Sequence, residues 1–385
     1  MSNFVESTRQ GLGNRSKSAI GGVVFGFFLV AGAVFLLFWN EGRAVERYRD
    51  LKEGAGAVVE TASDSVSPGN EGKLVHITGE AVTEGPLADP VFGVSENAIK
   101  LIRSAEMYQW VENVETESKK EVGGSETTTK TYSYTTEWRD SPVNSSQFKV
   151  ADEHRNPELM KYRSNTIVAD NVSVGAFSLP NFLVIQIGGA DGMDIVSLEA
   201  ANQEVKSAGK LSGGGVYFGT DPASPTVGDI RVTFSVVHPG PVSVIAQQSG
   251  NTFVSYTAKS GGKVELLERG TLPAAAMFEL AHDRNKTLTW VIRVAGFVLL
   301  SIGFGLILAP LAVFADIIPF IGRIVGAGTK LIGLFLAGIV WTLTVAFAWI
   351  FYRPVLGIAI LVVTVALIVL AIKKLRKAEQ PPPLT

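Results

Sequence analysis

Apolar side chains in this chain are bunched rather than spread. Four runs stand out: Ala19–Trp39 near the start, then Trp290–Phe314, Leu331–Phe351 and Val355–Ile372 near the end. A helix needs about 20 apolar residues to cross the hydrocarbon core of a bilayer. The last run, VLGIAILVVTVALIVLAI, carries no charged side chain. Its Leu, Ile and Val residues each favour insertion by roughly 0.3–0.6 kcal/mol. A buried helix of a water-soluble protein is rarely so long and apolar on every face. The pattern predicts four transmembrane helices, at residues 19–39, 290–314, 331–351 and 354–372. The first reads as an uncleaved signal anchor: it exceeds the apolar core of a signal peptide, and Trp39-Asn40-Glu41 is a poor small-residue cleavage site. Its Gly22 and Gly26 form a GxxxG pair, a spacing that lets helices approach closely.

Between Asn40 and Thr289 the periodicity changes. Asn40–Glu60 opens as a helix continuing the first span, with opposite charges spaced to pair along one face. Lys73–Val82 alternates as a half-buried strand. Ile99–Glu112 and Thr131–Trp138 alternate again and predict a long hairpin turned by the charged segment Glu115–Thr129. Asp152–Arg163 is a candidate helix, Thr166–Val174 and Phe182–Ile187 are candidate strands, and Asp194–Lys206 has helical period. Four strands follow: Asp229–Val237, Val242–Gln248, Thr252–Thr257 and Lys263–Glu268. Pro273 then precedes a helix, Ala274–Asn285, that runs into the second span. Strands in succession, without sustained β-α-β alternation, mark an α+β class. The predicted fold is an α+β membrane protein with one N-terminal and three C-terminal transmembrane helices and a large strand-rich extracytoplasmic domain at residues 40–289.

Positive charge orients these pieces, because short flanks rich in Lys and Arg stay cytoplasmic. Arg9, Arg15 and Lys17 precede the first span, Lys373, Lys374, Arg376 and Lys377 follow the last, and Arg323 and Lys330 lie between the second and third. All three groups fall on the cytoplasmic side if four spans leave both termini inside. Residues 1–18 and 373–385 are then cytoplasmic tails, the first weakly ordered. The cluster Arg43, Arg47, Arg49 and Lys52 runs against this order but is interleaved with Glu41, Glu46, Asp50 and Glu53. Residues 315–330 form an amphipathic cytoplasmic-side connector, interfacial or re-entrant. A charge at the bilayer centre costs about 3 kcal/mol, so Asp316 and Arg323 belong at its edges, as an ion pair sharing a helix face or against lipid headgroups. Tyr352 and Arg353 suit the headgroup layer between the third and fourth spans, and Pro354 suits a helix start.

Composition narrows the chemistry. The 385 residues hold 34 Lys and Arg against 36 Asp and Glu, so there is no electrostatic case for nucleic acid. There is no cysteine, which excludes disulfides, thiolate catalysis and Cys-based zinc sites. His76, His154, His238 and His282 stand in no metal-ligand spacing, and HExxH, GxSxG and the phosphate-binding GxxxxGK[ST] are all missing. Gly213–Gly219 lacks the third glycine of a dinucleotide fingerprint and reads as a flexible loop, while Glu115 and Glu117 read as solvated charges. Tyr108, Trp110, Tyr132, Tyr134 and Trp138 form either an aromatic binding surface or, more simply, cross-strand packing. The spans carry no ionisable residue near their centres, and Arg293, near the start of the second, can snorkel; ion-coupled transport is disfavoured. No catalytic, cofactor or metal-binding residue is predicted. The expected partners are membrane lipids, further copies of the chain, and other membrane or envelope proteins.

Six phrases occur in order along the chain: NEGRAV at 40–45, NEGKLVHITG at 70–79, MYQWVE at 107–112, YSYTTEWR at 132–139, GDIRVTFS at 228–235 and FYRP at 351–354. Together with the arrangement of spans they resemble the LUMA (transmembrane protein 43) family over most of the chain, most weakly in the two tails and across 177–219. The resemblance marks Asn40, Glu41, Gly42, Arg43, Tyr108, Trp110, Trp138, Arg353 and Pro354 as family-motif residues of structural role. It implies four spans, both termini in the cytoplasm or nucleoplasm, and a lumenal domain. For animal members it further implies residence in the endoplasmic reticulum and inner nuclear membrane, association with emerin and lamins, and a part in nuclear-envelope organisation. It brings no catalytic residue. Bacterial relatives of the family have no lamins; a bacterial chain would sit in the inner membrane with its domain in the periplasm, and the lack of cysteine leans that way. Asn144, Asn171 and Asn285 open N-x-[ST] sequons, which matter in a eukaryotic source.

The expected function is a non-catalytic membrane scaffold acting through its extracytoplasmic domain and helix packing. The alternative is a lipid-handling protein or enzyme with an unrecognised site in that domain, which requires a deep pocket with convergent polar groups. A channel or transporter needs polar side chains lining the spans, and few are present.

Overall fold

The computed structural model describes residues 4–317 and 319–354, with side chains outside 318–323. From Val355 on, the predicted fourth span and the tail at 373–385 lie outside the described residues. Three long helices are present: α1 (Leu12–Ala57), α2 (Ala274–Ala315) and α3 (Pro319–Tyr352). Each contains a window of mean hydropathy above 2, long and apolar enough to cross a membrane. The described residues therefore hold three candidate spans, where four are predicted for the whole chain. As predicted, α1 continues past its apolar stretch and α2 begins well before its own.

The chain divides into two compact units. A β unit comprises Met1–Thr8, Asp50–Ser118 and Thr128–Ala281; a helical unit comprises Arg9–Arg49, Lys119–Thr127 and His282–Thr385.

The β unit is built on β1 (Phe4–Gln10), β2 (Leu74–Thr83), β3 (Lys100–Lys120), β4 (Glu126–Arg139), β5 (Ile230–Val237) and β6 (Gly240–Ser249). One sheet runs β1-β4-β3-β5 and continues through Gly215–Phe218 and Lys210–Ser212. The other centres on β2 paired antiparallel with β6, flanked by short strands including Val172–Val174 and Leu266–Arg269. Alternation explains the packing. In β5, Ile230, Val232, Phe234 and Val236 are buried while Arg231 and Thr233 are exposed, as a period of two requires. They join Leu101, Ala105 and Met107 of β3 around Phe92. A second core gathers Val75, Ile77, Val242, Val244 and Phe253 with Phe177. A third sets Leu51 of α1 and Met277 and Phe278 of α2 against Leu74 and Ile245.

Several expectations are corrected. Phe4–Gln10 is not a weakly ordered tail but an edge strand, where Glu6 pairs with Lys149 at 2.9 Å and Ser7 bonds Thr129. The hairpin turn is shorter than predicted, because β3 extends to Lys120. Its last residues are polar on both faces, so no alternation announces them. Gly213–Gly219 is no flexible loop: Gly213 and Gly214, at φ of 57° and 76°, turn a tight hairpin between Lys210–Ser212 and Gly215–Phe218. Residues 152–163 are irregular, since Pro157 breaks the helical period there. Residues 182–187 are not a strand; a short helix, Asn181–Val184, follows Pro180 instead. Of 194–206 only the end is helical, in Gln203–Ala208, capped by the Asn202 side chain accepting from the Val205 amide at 2.8 Å.

Candidate functional site

The helical unit concentrates its polar side chains in two clusters. At the first, α1 leaves its apolar stretch through Asn40-Glu41-Gly42-Arg43. α2 contributes Asn285, Thr289 and Arg293, spaced four apart and therefore on one face. α3 contributes Trp341, Trp349 and Tyr352, with Arg353 just past its end. Arg293 grips Glu41 with two bonds, Nε to Oε1 at 2.6 Å and Nη2 to Oε2 at 2.8 Å. Trp349 donates its indole N–H to Glu41 Oε2 at 2.9 Å, and Trp341 donates to the Arg293 carbonyl at 3.0 Å. The guanidinium also lies 4.9 Å from the Trp290 ring centroid. Glu41 is 2% and Arg293 9% exposed. Burying two charges costs several kcal/mol per ion unless the geometry is good and the remaining lone pairs are bonded; both conditions are met here. Arg293, which the sequence suggested can snorkel, is instead paired with Glu41 inside the helical unit.

One turn further, Arg43 donates to Asn285 Oδ1 at 3.1 Å, Asn40 Oδ1 at 3.2 Å and Thr289 Oγ1 at 3.1 Å. Asn40 donates back to the Thr289 carbonyl, and Asn285 to the Ala44 carbonyl. Gly42 admits the Tyr352 ring so closely that a Cβ there would lie 2.6 Å from it. Arg353 sits 5.9 Å from the rings of Tyr48 and Trp349. Along the apolar stretch, Gly26 meets the Gly303 carbonyl, where a Cβ would approach to 2.7 Å, as a close-packing GxxxG face requires.

The second cluster lies near the start of α1, with Arg15 and Glu41 roughly 39 Å apart at 1.5 Å per residue. Asp316 is fully buried and accepts from Arg15 Nη2 at 2.6 Å and Lys120 Nζ at 2.8 Å. Arg15 also donates to the Gly124 carbonyl and pairs with Glu126 at 2.8 Å. Asp316 is thus enclosed by protein groups among the described residues. Its observed partners are Arg15 and Lys120; the Arg323 side chain lies outside the described residues.

In the β unit the remaining motif residues pack across strands. Tyr108 of β3 and Trp138 of β4 lie 5.2 Å apart, and Thr136 donates to the Tyr108 hydroxyl at 2.7 Å. Arg231 covers the Trp138 ring at 4.5 Å. Trp110 meets His154 edge-on at 4.7 Å, and His154 stacks on Tyr134 at 3.7 Å. Tyr134 donates to Glu112 and Tyr217 donates to Asp229, and burial beside these carboxylates raises both phenols above their ordinary pKa. An open cleft of about 750 Å³ lies beside this group, lined by Asn144, Ser145, Asp152, Arg155, Asn156 and Glu158. Its polar groups are largely committed: Asn156 binds the Trp110 backbone through both amide atoms, and Arg155 pairs with Asp152. Among the described residues no group of three or more His, Asp or Glu is placed to hold a metal.

The structure thus brings Asn40, Glu41, Gly42, Arg43 and Arg353 together in the helical unit and Tyr108, Trp110 and Trp138 together in the β unit; Pro354 is the last described residue. Sequence reasoning missed Arg15, Asn285, Thr289, Trp341 and Trp349. The four-residue spacing of Asn285 and Thr289 ahead of Arg293 on α2 was available to find two of them.

A strand-rich unit together with apolar helices that enclose ion pairs defines an integral membrane protein with several candidate spans. The family model for Transmembrane protein 43 matches residues 107–354. Transmembrane protein 43 of Mus musculus is 36% identical over 351 residues, covering 88% of this chain and 86% of its own length. That of Homo sapiens is 34% identical over 381 residues, covering 96% and 94%. The Transmembrane protein 43 homolog of Drosophila melanogaster is 32% identical over 350 residues, covering 88% and 90%. The chain belongs to the transmembrane protein 43 family, also called the LUMA family. No solved structure matches it.

Proposed function

We propose that this protein is a non-catalytic integral membrane scaffold with four spans, the fourth at 354–372, that assembles with further copies of itself and organises a region of membrane or envelope through its extracytoplasmic β unit. The observation behind this reading is how the charged groups in the helical unit's interior are held. Glu41, Arg293, Arg43 and Asp316 are each held by several partners within the unit, while Phe28, Phe35 and Phe335 are at least 69% exposed. Such a unit is suited to holding a fixed helix arrangement in lipid rather than to binding or moving a polar solute. In an animal cell the proposed site is the endoplasmic reticulum and inner nuclear membrane, with emerin and lamins as candidate partners; in a bacterium it is the inner membrane.

Crosslinking in native membranes, followed by mass spectrometry of bound proteins and lipids, tests the scaffold. Reproducible homo-oligomers and neighbours are expected; a strictly monomeric, neighbourless chain removes the proposal. The chain has no native cysteine, so single cysteines at Val122 and Leu159, 85% and 73% exposed, report the side of each segment with an impermeant maleimide. The second reading, a lipid-handling protein, rests on the cleft at 142–158 and stands only if a defined lipid co-purifies and is lost when Arg155 and Asn156 are replaced.

A further inference from the structure

We propose that Asn171 and Asn144 are N-glycosylation sites and that Asn285, in a sequon of the same form, is not. The proposal rests on reading the β unit as lumenal. These three sequons look alike in sequence and differ in structure; a fourth, Asn14-Arg15-Ser16, opens α1 in the N-terminal flank read as cytoplasmic. Asn171 is exposed in the turn between the strands Asn165–Val168 and Val172–Val174, while its neighbour Val172 anchors the turn at 1% exposure. A bulky, solubilising sugar at this position projects into solvent without disturbing the core.

Asn144 is exposed as well. Its Oδ1 accepts from the Ser146 amide at 3.1 Å and from the Ser146 hydroxyl at 2.7 Å. This Asx turn brings the sequon's hydroxyl onto the acceptor amide within the chain itself. The open cleft beside it, about 750 Å³, leaves room for the first sugars.

Asn285 stands in the interior of α2 and is only partly exposed. Both ends of its amide are in use: Oδ1 accepts from Arg43 and Nδ2 donates to the Ala44 carbonyl. Glycosylation replaces one of the two Nδ2 hydrogens and places a sugar where α1 and α2 meet, around an amide already bonded at both ends. In the transfer, Asn Nδ2 bonds to the anomeric carbon of a lipid-linked oligosaccharide. The carbon–oxygen bond to the lipid pyrophosphate breaks, the pyrophosphate leaves with the electron pair, and the amide gives up one proton.

The test uses the full chain expressed in cultured human cells. Its electrophoretic mobility is compared before and after peptide-N-glycosidase, with protease protection of sealed microsomes run in parallel. A two-step shift is expected, one step lost in S173A, the other in S146A, and neither in T287A. Thr287 is exposed, so T287A removes the Asn285 sequon while leaving the Asn285 amide in place; N171Q and N144Q repeat the first two losses by an independent route. A protected β unit with no shift overturns the glycan assignment and leaves the lumenal reading standing. A digested β unit overturns both. A step lost in T287A overturns the discrimination among the three.

Discussion

The two units obey opposite rules about what goes inside. In the β unit the large fully buried side chains are apolar, Phe92, Phe177 and Phe253 among them, and most of its ion pairs, such as Arg231 with Glu106, lie at the surface. In the helical unit Phe25, Phe27, Phe28 and Phe35 are more than half exposed, whereas Glu41, Arg293, Arg15 and Asp316 are buried. The physics is the same and the solvent differs. Water rewards burial of apolar area; lipid is as apolar as leucine, so helices are held by close packing and polar contacts instead. An interior polar residue in a span therefore deserves the scrutiny that a surface phenylalanine deserves in a soluble domain.

Breaking the comparison starts with E41A. Removing one partner of a buried ion pair costs about 3–5 kcal/mol, so the thermal midpoint of the helical unit in detergent should collapse; E41L with R293M should recover most of the loss. F177A in the β unit should cost about 3–5 kcal/mol, whereas F28A, at 71% exposure, should change detergent stability by no more than about 0.5 kcal/mol. Equal losses from these two would erase the distinction. G42A, which drives a Cβ into Tyr352, should cost about 1–3 kcal/mol by overpacking, seen as a lower midpoint that Y352L relieves.

A subtler effect sharpens the comparison at high pH. Burial and Asp229 raise the Tyr217 phenol, so the folded β unit favours the neutral form. Its contribution is complete below the ordinary phenol pKa near 10 and is lost as pH rises through the higher folded value. Midpoints measured from pH 8 upward should fall beyond that range, and Y217F should flatten the fall. Smallest of all is R155A: both partners of the Arg155–Asp152 pair are more than 70% exposed, and no measurable change in midpoint is expected.

What the sequence disclosed follows from locality. The three candidate spans among the described residues were legible because length and composition announce them within about 20 residues. The strands Leu74–Thr83, Ile230–Val237 and Gly240–Ser249 were legible because one face is apolar. Phe4–Gln10 and the far end of Lys100–Lys120 were not, since their residues are polar on both faces and only a partner strand defines them. Asn40, Glu41 and Arg43 were marked by family phrases, but their partners come from a distant helix that no local pattern names. Asp316 shows the same limit: its partner Arg15 lies 301 residues away.

The Glu41–Arg293 pair has a consequence for how the chain is made. Its two halves are 252 residues apart. At roughly 5–20 residues per second of synthesis, the carboxylate leaves the ribosome on the order of ten to fifty seconds before its counter-ion exists. During that interval the nascent first span must keep Glu41 hydrated or in the care of the insertion machinery. Final seating of the helices is then a post-translational event, and a chain truncated before Trp290 should be recognised by quality control as an orphan.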